Sequence, residues 1–230
     1  MIEILVFSIE IIGTIAFALS GALRGIEKQL DILGITILGI TAATGGGLIR
    51  DILLGTYPPL LFVNPTYVMV AAITAIVAFI IAYITRHYQY QFKNHLSSTF
   101  GSLLNLADAI GLGIFAVIGV QTAMQRGFFE NTFLTLFVGI ITGVGGGMLR
   151  DLLVREIPFF LKKHIYFLAA LLGSVSYYWL IKCQINNVIA MTIGSILTFL
   201  IRLLATKYRW NLPKIPPKAY ADLDHVENHL

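Results

Sequence analysis

Apolar residues fall along this chain in long blocks, not in the alternation of a strand or the single stripe of a soluble helix. Seven blocks approach or exceed the ~20 residues a helix needs to cross a bilayer: 4–23, 32–53, 66–85, 106–125, 132–153, 164–181 and 186–205. The first block has no Lys or Arg before it and contains Glu10, which argues against a secretory leader. Residues 86–105 are the longest internal polar stretch. Beyond 206 the chain turns polar, with Pro213, Pro216, Pro217, Asp222, Asp224 and Glu227, and a solvated tail is predicted. The pattern predicts an all-α polytopic membrane protein of seven transmembrane helices.

Composition supports this. Of 230 residues, 57% are hydrophobic and 12% charged, against ~25% charged in soluble domains. An ordinary soluble domain and a disordered chain are both excluded. The lone cysteine, Cys183, excludes a disulfide framework and a cysteine-based zinc site. His87, His95, His164, His225 and His229 lack ligand spacing, so neither a metal nor a cofactor is expected. No Ser-His-Asp or Cys-His set is arranged for nucleophilic chemistry, and the chain reads as a non-enzyme.

Charge placement orients the helices. With seven spans, twelve Lys and Arg collect on one side (Arg24, Lys28, Arg86, Lys93, Arg155, Lys162, Lys163, Arg202, Lys207, Arg209, Lys214 and Lys218). Two, Arg126 and Lys182, fall on the other. The positive-inside rule then puts the N-terminus outside and the C-terminus in the cytoplasm. The basic balance is a topology signal and a contact with anionic membrane lipids, and no nucleic-acid partner is expected. Tyr83, Tyr88, Tyr177, Tyr178, Trp179 and Trp210 sit near span ends and predict an interfacial aromatic belt.

The chain repeats itself. Residues 45–51 read Gly-Gly-Gly-Leu-Ile-Arg-Asp and residues 145–151 read Gly-Gly-Gly-Met-Leu-Arg-Asp. Extended to 62 and 162, the alignment has eight identities in eighteen positions. Upstream, Gly39, Ala43 and Gly47 are mirrored by Gly139, Gly143 and Gly147. At an offset of 98, Glu10 aligns with Asp108, Phe17-Ala18 with Phe115-Ala116, and Gly21 with Gly119. Three spans per repeat invert the second copy relative to the first, an arrangement that places a pathway between the halves. The expected organisation is a first repeat over 1–85, an inter-repeat loop over 86–105, a second repeat over 106–181, a seventh helix over 182–205 and a polar cytoplasmic tail over 206–230.

Three consecutive glycines are poor helix material, about 1 kcal/mol each relative to Ala. Gly45, Gly46, Gly47 and Gly145, Gly146, Gly147 are therefore expected to break or kink spans two and five, with close helix packing as the competing role. Pro58 and Pro158 are expected to end those helices. With Arg202, near the end of the last block, counted on the cytoplasmic flank, six charges fall inside predicted spans: Glu10, Arg50, Asp51, Asp108, Arg150 and Asp151. Each costs about 2.5–3.5 kcal/mol at a bilayer centre, so they are expected to line a pathway, to tie the repeats together, or both. Glu10, two turns into its span, is alternatively interfacial. Adjacent helical residues do not face one another. Arg50 is therefore expected to pair across the repeats with Asp108 or Asp151, and Arg150 with Glu10 or Asp51.

Twin Gly-Gly-Gly-x-x-Arg-Asp motifs, three spans apart in a seven-span protein, resemble the prokaryotic members of the TRIC family, the trimeric intracellular cation channels. The resemblance covers about residues 4–205. It implies a homotrimer with one pore per protomer, lying between spans two and five, each kinked at its glycines. It also implies permeant monovalent cations, mainly potassium and also sodium, and residence in a prokaryotic plasma (inner) membrane. The basic Lys-Glu-Val motif of animal members is absent, so phosphoinositide control is not implied. Related bacterial proteins have been described as glycine transporters. Two readings result. One is a potassium-permeable channel of modest selectivity, since no Thr-Val-Gly-Tyr-Gly filter is present. The other is a secondary transporter of glycine or another small zwitterion. In the channel the twin glycine triplets shape the path and the six charges form its polar constriction or gate; in the transporter an Arg and an Asp near one cavity pair with the carboxylate and ammonium of the substrate. The sequence also offers the small residues Gly111, Gly113, Ala116 and Gly119 of span four as a candidate trimer face.

Overall fold

Asp31, Asn131 and Asn186 each start a long helix by the same device, a side-chain oxygen accepting a backbone N–H two or three residues on. The computed structural model describes residues 2–88, 96–162, 165–208 and 210. The seven long helices are α1 (Ile2–Glu27), α2 (Ile32–Leu53), α4 (Thr66–Tyr88), α5 (Leu96–Ala123), α6 (Thr132–Leu153), α8 (Ile165–Lys182) and α9 (Asn187–Lys207). Two short helices, α3 (Leu60–Val63) and α7 (Phe159–Lys162), follow α2 and α6. A π-helical turn at Met124–Phe128 prolongs α5. All seven long helices are long and apolar enough to cross a membrane. The chain is an all-α polytopic membrane protein.

The element boundaries amend the expected ones. Helix α4 runs on to Tyr88 and α5 begins at Leu96, so the inter-repeat loop is far shorter than 86–105. Residues 89–95 of that loop and 211–230 of the expected tail lie outside the described residues. Helices α2 and α6 end at Leu53 and Leu153, before Pro58 and Pro158. Just past each end stands a residue of positive φ, Gly55 at 67° and Arg155 at 56°. The two occupy the same place in their repeats, and only the first is the residue type that takes this conformation freely.

The two repeats are related by reciprocal contacts. A side chain added to Gly46 would collide with the Thr142 carbonyl, and one added to Gly146 with the Ala42 carbonyl. Phe17 of α1 stacks on Phe115 of α5, its counterpart, with centroids 5.5 Å apart and planes at 4°. When residue i meets j′ and j meets i′, a two-fold relation holds, here inside one chain. The glycine triplets thus serve the close packing that was the competing expectation. Helices α2 and α6 run unbroken through both, and the missing side chains bring two continuous backbones into contact.

Helix α5 is the most buried span and packs against α1, α6, α8 and α9. This overturns the expected trimer face. Side chains at Gly111, Gly113 and Gly119 would strike Phe17, the Ser195 carbonyl and Thr142 of the same chain, and Ala116 is wholly buried. Tyr177 and Tyr178 are likewise core residues and not part of a belt. The Tyr177 hydroxyl donates to Asn187 Oδ1 at 2.7 Å, and the Tyr178 hydroxyl lies 2.8 Å from that of Thr132. Tyr83 and Trp179 are exposed, as an interfacial position requires.

Candidate functional site

Arg50 and Asp51 close α2, and Arg150 and Asp151 close α6. Successive spans of a polytopic chain alternate in direction, and α6 is the third span after α2, so the two motifs sit toward opposite faces. Ion pairs agree with this. Lys28, after α1, meets Glu156, after α6, at 2.5 Å. The second motif therefore shares a face with the α1–α2 turn, the cytoplasmic face by the expected orientation.

In the first motif, Arg50 Nε donates to Asp51 Oδ1 at 2.9 Å, and Nη2 lies 2.8 Å from the same oxygen. The other carboxylate oxygen, Oδ2, accepts the Leu60 N–H at 2.8 Å and so fastens the start of α3. The second motif repeats this. Arg150 Nε donates to Asp151 Oδ1 at 2.9 Å, and Asp151 Oδ2 accepts the Phe159 N–H at 3.0 Å, at the start of α7. Each Asp therefore restrains an arginine and anchors the return of the chain. The expected cross-repeat pairs do not form: Arg50 meets neither Asp108 nor Asp151, and Arg150 meets neither Glu10 nor Asp51. An arginine at the last turn is long enough to fold back on its neighbour, and the i, i+1 rule, which concerns Cβ directions, does not forbid it.

Beyond that shared core the motifs differ. Arg50 lies beside a cavity of about 50 Å³, room for a few waters at about 10–15 Å³ each. Glu10, Thr14, Thr44, Gly47, Arg50 and Tyr67 supply its polar and backbone walls. Glu10 accepts a hydrogen bond from the Tyr67 hydroxyl, at the start of α4, and both side chains line the cavity. Gly47 has open space where its side chain would be, the nearest neighbour being Arg50 Nη2 at 3.7 Å.

Arg150 has no such space. It is wholly buried, and its Nη1 donates to Asp108 Oδ1 at 2.8 Å and to the Ser20 hydroxyl. Its guanidinium stands 5.4 Å from the centre of the Phe159 ring, and Arg24 stands 4.9 Å from the same ring. Arg24 Nε is 3.8 Å from Asp151 Oδ1. From α9, Arg202 Nη2 lies 3.7 Å from Asp108 Oδ2, and its guanidinium caps the Tyr166 ring at 4.5 Å. The repeats are thus tied across α1 and α6, but through Ser20 and Arg24.

Sequence reasoning missed five of these residues. Arg24 and Arg202 were expected among the loop and flanking charges, yet both are buried in the bundle. Ser20 is uncharged and gave no signal. Tyr67 and Tyr166 open the third helix of each repeat at an offset of 99, and carrying the alignment one helix further finds them.

Comparison with known proteins bears on this arrangement. A family model described as Glycine transporter matches residues 7–83 and 105–182. The chain is 33% identical over 212 residues to the UPF0126 inner membrane protein YadS of Escherichia coli (strain K12), an overlap of 91% of this chain and 95% of that protein. It is 34% identical over 207 residues to a UPF0126 membrane protein of Deinococcus radiodurans, 89% of each. Among solved structures, the TRIC trimeric intracellular cation channel orthologue from Rhodobacter sphaeroides superposes with a TM-score of 0.78 at 31% identity, over 89% of this chain and 98% of that one. A prokaryotic TRIC channel in 0.5 M KCl also gives 0.78, at 36% identity, over 92% and 100%. Matched over most of its length by family model, relatives and solved structures alike, the chain belongs to the glycine-transporter family, the TRIC-type family.

Proposed function

We propose that this chain is a potassium-permeable channel for monovalent cations, a homotrimer in a prokaryotic inner membrane with one path per protomer. The N-terminus is outside and the C-terminus cytoplasmic. The path runs between α2 and α6. The observation that carries this is the pairing of two Arg-Asp motifs at opposite ends of an antiparallel helix pair that touches through glycine. Intramembrane charges that are buried, paired and set along one axis mark an ion route. Similarity to channels of known structure supports it further. Gly46 and Gly146 hold the crossing, and Gly45, Gly47, Gly145 and Gly147 flank it. Glu10, Arg50 and Asp51 form the outer mouth, and Asp108, Arg150 and Asp151 the inner constriction.

Planar-bilayer recording of the purified protein in a potassium chloride gradient tests this, beside the Arg50→Ala, Arg150→Ala double variant. Unitary currents that reverse near the potassium potential and change in the variant are expected. Folded, incorporated protein that passes no current overturns it.

One observation favours a second reading, a carrier of glycine. The cavity places the carboxylate of Glu10 and the guanidinium of Arg50 around a small volume, a charge pair that complements a small zwitterion, and the matching family model bears that name. Saturable glycine uptake into liposomes, without unitary current, would select it.

A further inference from the structure

The cavity beside the first motif is walled by hydroxyl oxygens whose protons are already committed. Thr14 stands one turn after Glu10 on α1, and residues four apart share a helix face. Thr44, Gly47 and Asp51 stack in the same way on α2. All five line the cavity, with Tyr67. The Thr14 hydroxyl donates to the Glu10 carbonyl at 2.8 Å, and the Thr44 hydroxyl to the Ile40 carbonyl at 2.9 Å. The Tyr67 hydroxyl donates to Glu10 Oε2. A hydroxyl has one proton and two lone pairs, so toward anything else these three can only accept. Among the described residues the Glu10 carboxylate bonds through Oε2 alone, which leaves Oε1 to the cavity. Arg50 also lines the wall, but Asp51 balances its charge there, at 2.8 Å. The charge left over is that of Glu10.

The second repeat is a built-in control. In the alignment of the halves Thr14 corresponds to Leu112, Thr44 to Val144, Glu10 to Asp108 and Tyr67 to Tyr166. Leu112 and Val144 belong to the apolar core. Asp108 is tied to Arg150 at 2.8 Å. The two threonine hydroxyls of one half are thus hydrocarbon in the other, and the acid there is paired with an arginine. Packing alone requires no hydroxyl at either place.

We infer that this cavity binds one partly dehydrated monovalent cation, with Glu10 Oε1 and the oxygens of Thr14, Thr44 and Tyr67 taking the place of hydration water. The inference rests on the channel reading and gives its outer mouth a resting site for the permeant ion. One unpaired carboxylate matches one positive charge. A calcium ion takes about six to eight oxygens, carboxylates prominent among them, and no group of three or more Asp, Glu, His or Cys side chains able to hold a metal occurs among the described residues. A volume of about 50 Å³ lets the ion keep a few of its waters. Neutral oxygens and a single charge make a site weak enough to be left again, as conduction requires. A zwitterion is served less well, because the three hydroxyls have no proton to offer its carboxylate and Arg50 is engaged by Asp51.

Thermal unfolding of the purified protein reads such binding without any current. Potassium chloride replaces choline chloride at constant ionic strength, choline being a cation too large for the cavity. An ion that binds only the folded state raises the melting temperature, by about 3–6 °C at ten times its dissociation constant. That rise is expected in the wild type. It is expected unchanged in Thr36→Val, because the Thr36 hydroxyl makes the same bond to the carbonyl four residues back on α2 but lies away from the cavity. The Thr14→Val, Thr44→Val double variant, which keeps shape and removes two oxygens, is expected to lose half the rise or more, and Glu10→Gln all of it. If the double variant does not fold, Thr44→Val alone takes its place. A wild type no more stable in potassium than in choline, or a rise that survives Glu10→Gln, would overturn the inference. So would stabilisation by glycine that potassium does not give, which would put a zwitterion in the cavity. The expected potassium pattern in folded, incorporated protein that passes no current would overturn the channel reading alone.

Discussion

Asp108 accepts a hydrogen bond from Arg150 at 2.8 Å with both side chains wholly buried. Breaking a buried pair by removing one partner typically costs about 3–5 kcal/mol, because the survivor is left as an uncompensated charge. Asp108→Asn is therefore expected to lower the detergent melting temperature sharply. Arg50→Met is expected to cost much less, because its partner Asp51 also takes the Leu60 N–H and the cavity leaves room for water. Equal losses would contradict the asymmetry between the motifs.

The glycine triplets make a graded prediction. Gly46→Ala and Gly146→Ala each drive a methyl group into the carbonyl of the opposing helix. Overpacking of this kind costs about 1–3 kcal/mol or more, and reduced trimer yield and melting temperature are expected. Gly47→Ala meets nothing closer than 3.7 Å. It should fold normally while changing unitary conductance, because it lines the cavity. Thermal melts alongside bilayer recordings check both halves.

Glu10 and Tyr67 form one unit across that cavity. Tyr67→Phe leaves the carboxylate short of a donor, at a cost of about 1–3 kcal/mol if no water replaces it. Glu10→Gln removes the charge and keeps an acceptor. Conductance in potassium chloride is expected to fall in Glu10→Gln with little loss of stability, and Tyr67→Phe is expected to lose stability first. The reverse order would assign Glu10 a structural role.

Cys183 is exposed in the turn between α8 and α9, and it is the only cysteine of the chain. With the N-terminus outside, this turn lies outside as well. Intact cells expressing the protein should therefore be labelled by a membrane-impermeant maleimide. Labelling that appears only after the cells are opened would reverse the orientation.

Much of this fold could be read along the chain because a bilayer leaves backbone few choices. Apolar blocks of sufficient length must become helices, and the twin motifs align the two halves to the residue. The function of the glycines was harder to see. Gly45–Gly47 advertise a weak helix, but what they do depends on the opposing carbonyl of Thr142, nearly one hundred residues away in sequence. Charge partners were harder still. Arg50 and Arg150 stand in near-identical motifs, and only the arrival of Ser20, Asp108 and Arg202 in space sets one apart. Arg24 and Arg202 were read as flanking charges because each stands near a helix end, where hydropathy falls. Nothing local reveals that those ends are enclosed.

The bundle is two-fold in backbone and one-sided in charge. Around the first motif, Glu10 and Asp51 outnumber Arg50, a formal balance of minus one. Around the second, Arg24, Arg150 and Arg202 match Asp108, Asp151 and Glu27, a formal balance of zero. On the proposed path, a cation entering from one face meets net negative charge first, and from the other a neutral cluster. A path so charged would rectify: in symmetrical potassium chloride the current–voltage curve is expected to bend, and Arg202→Gln, which leaves both ends at minus one, is expected to straighten it.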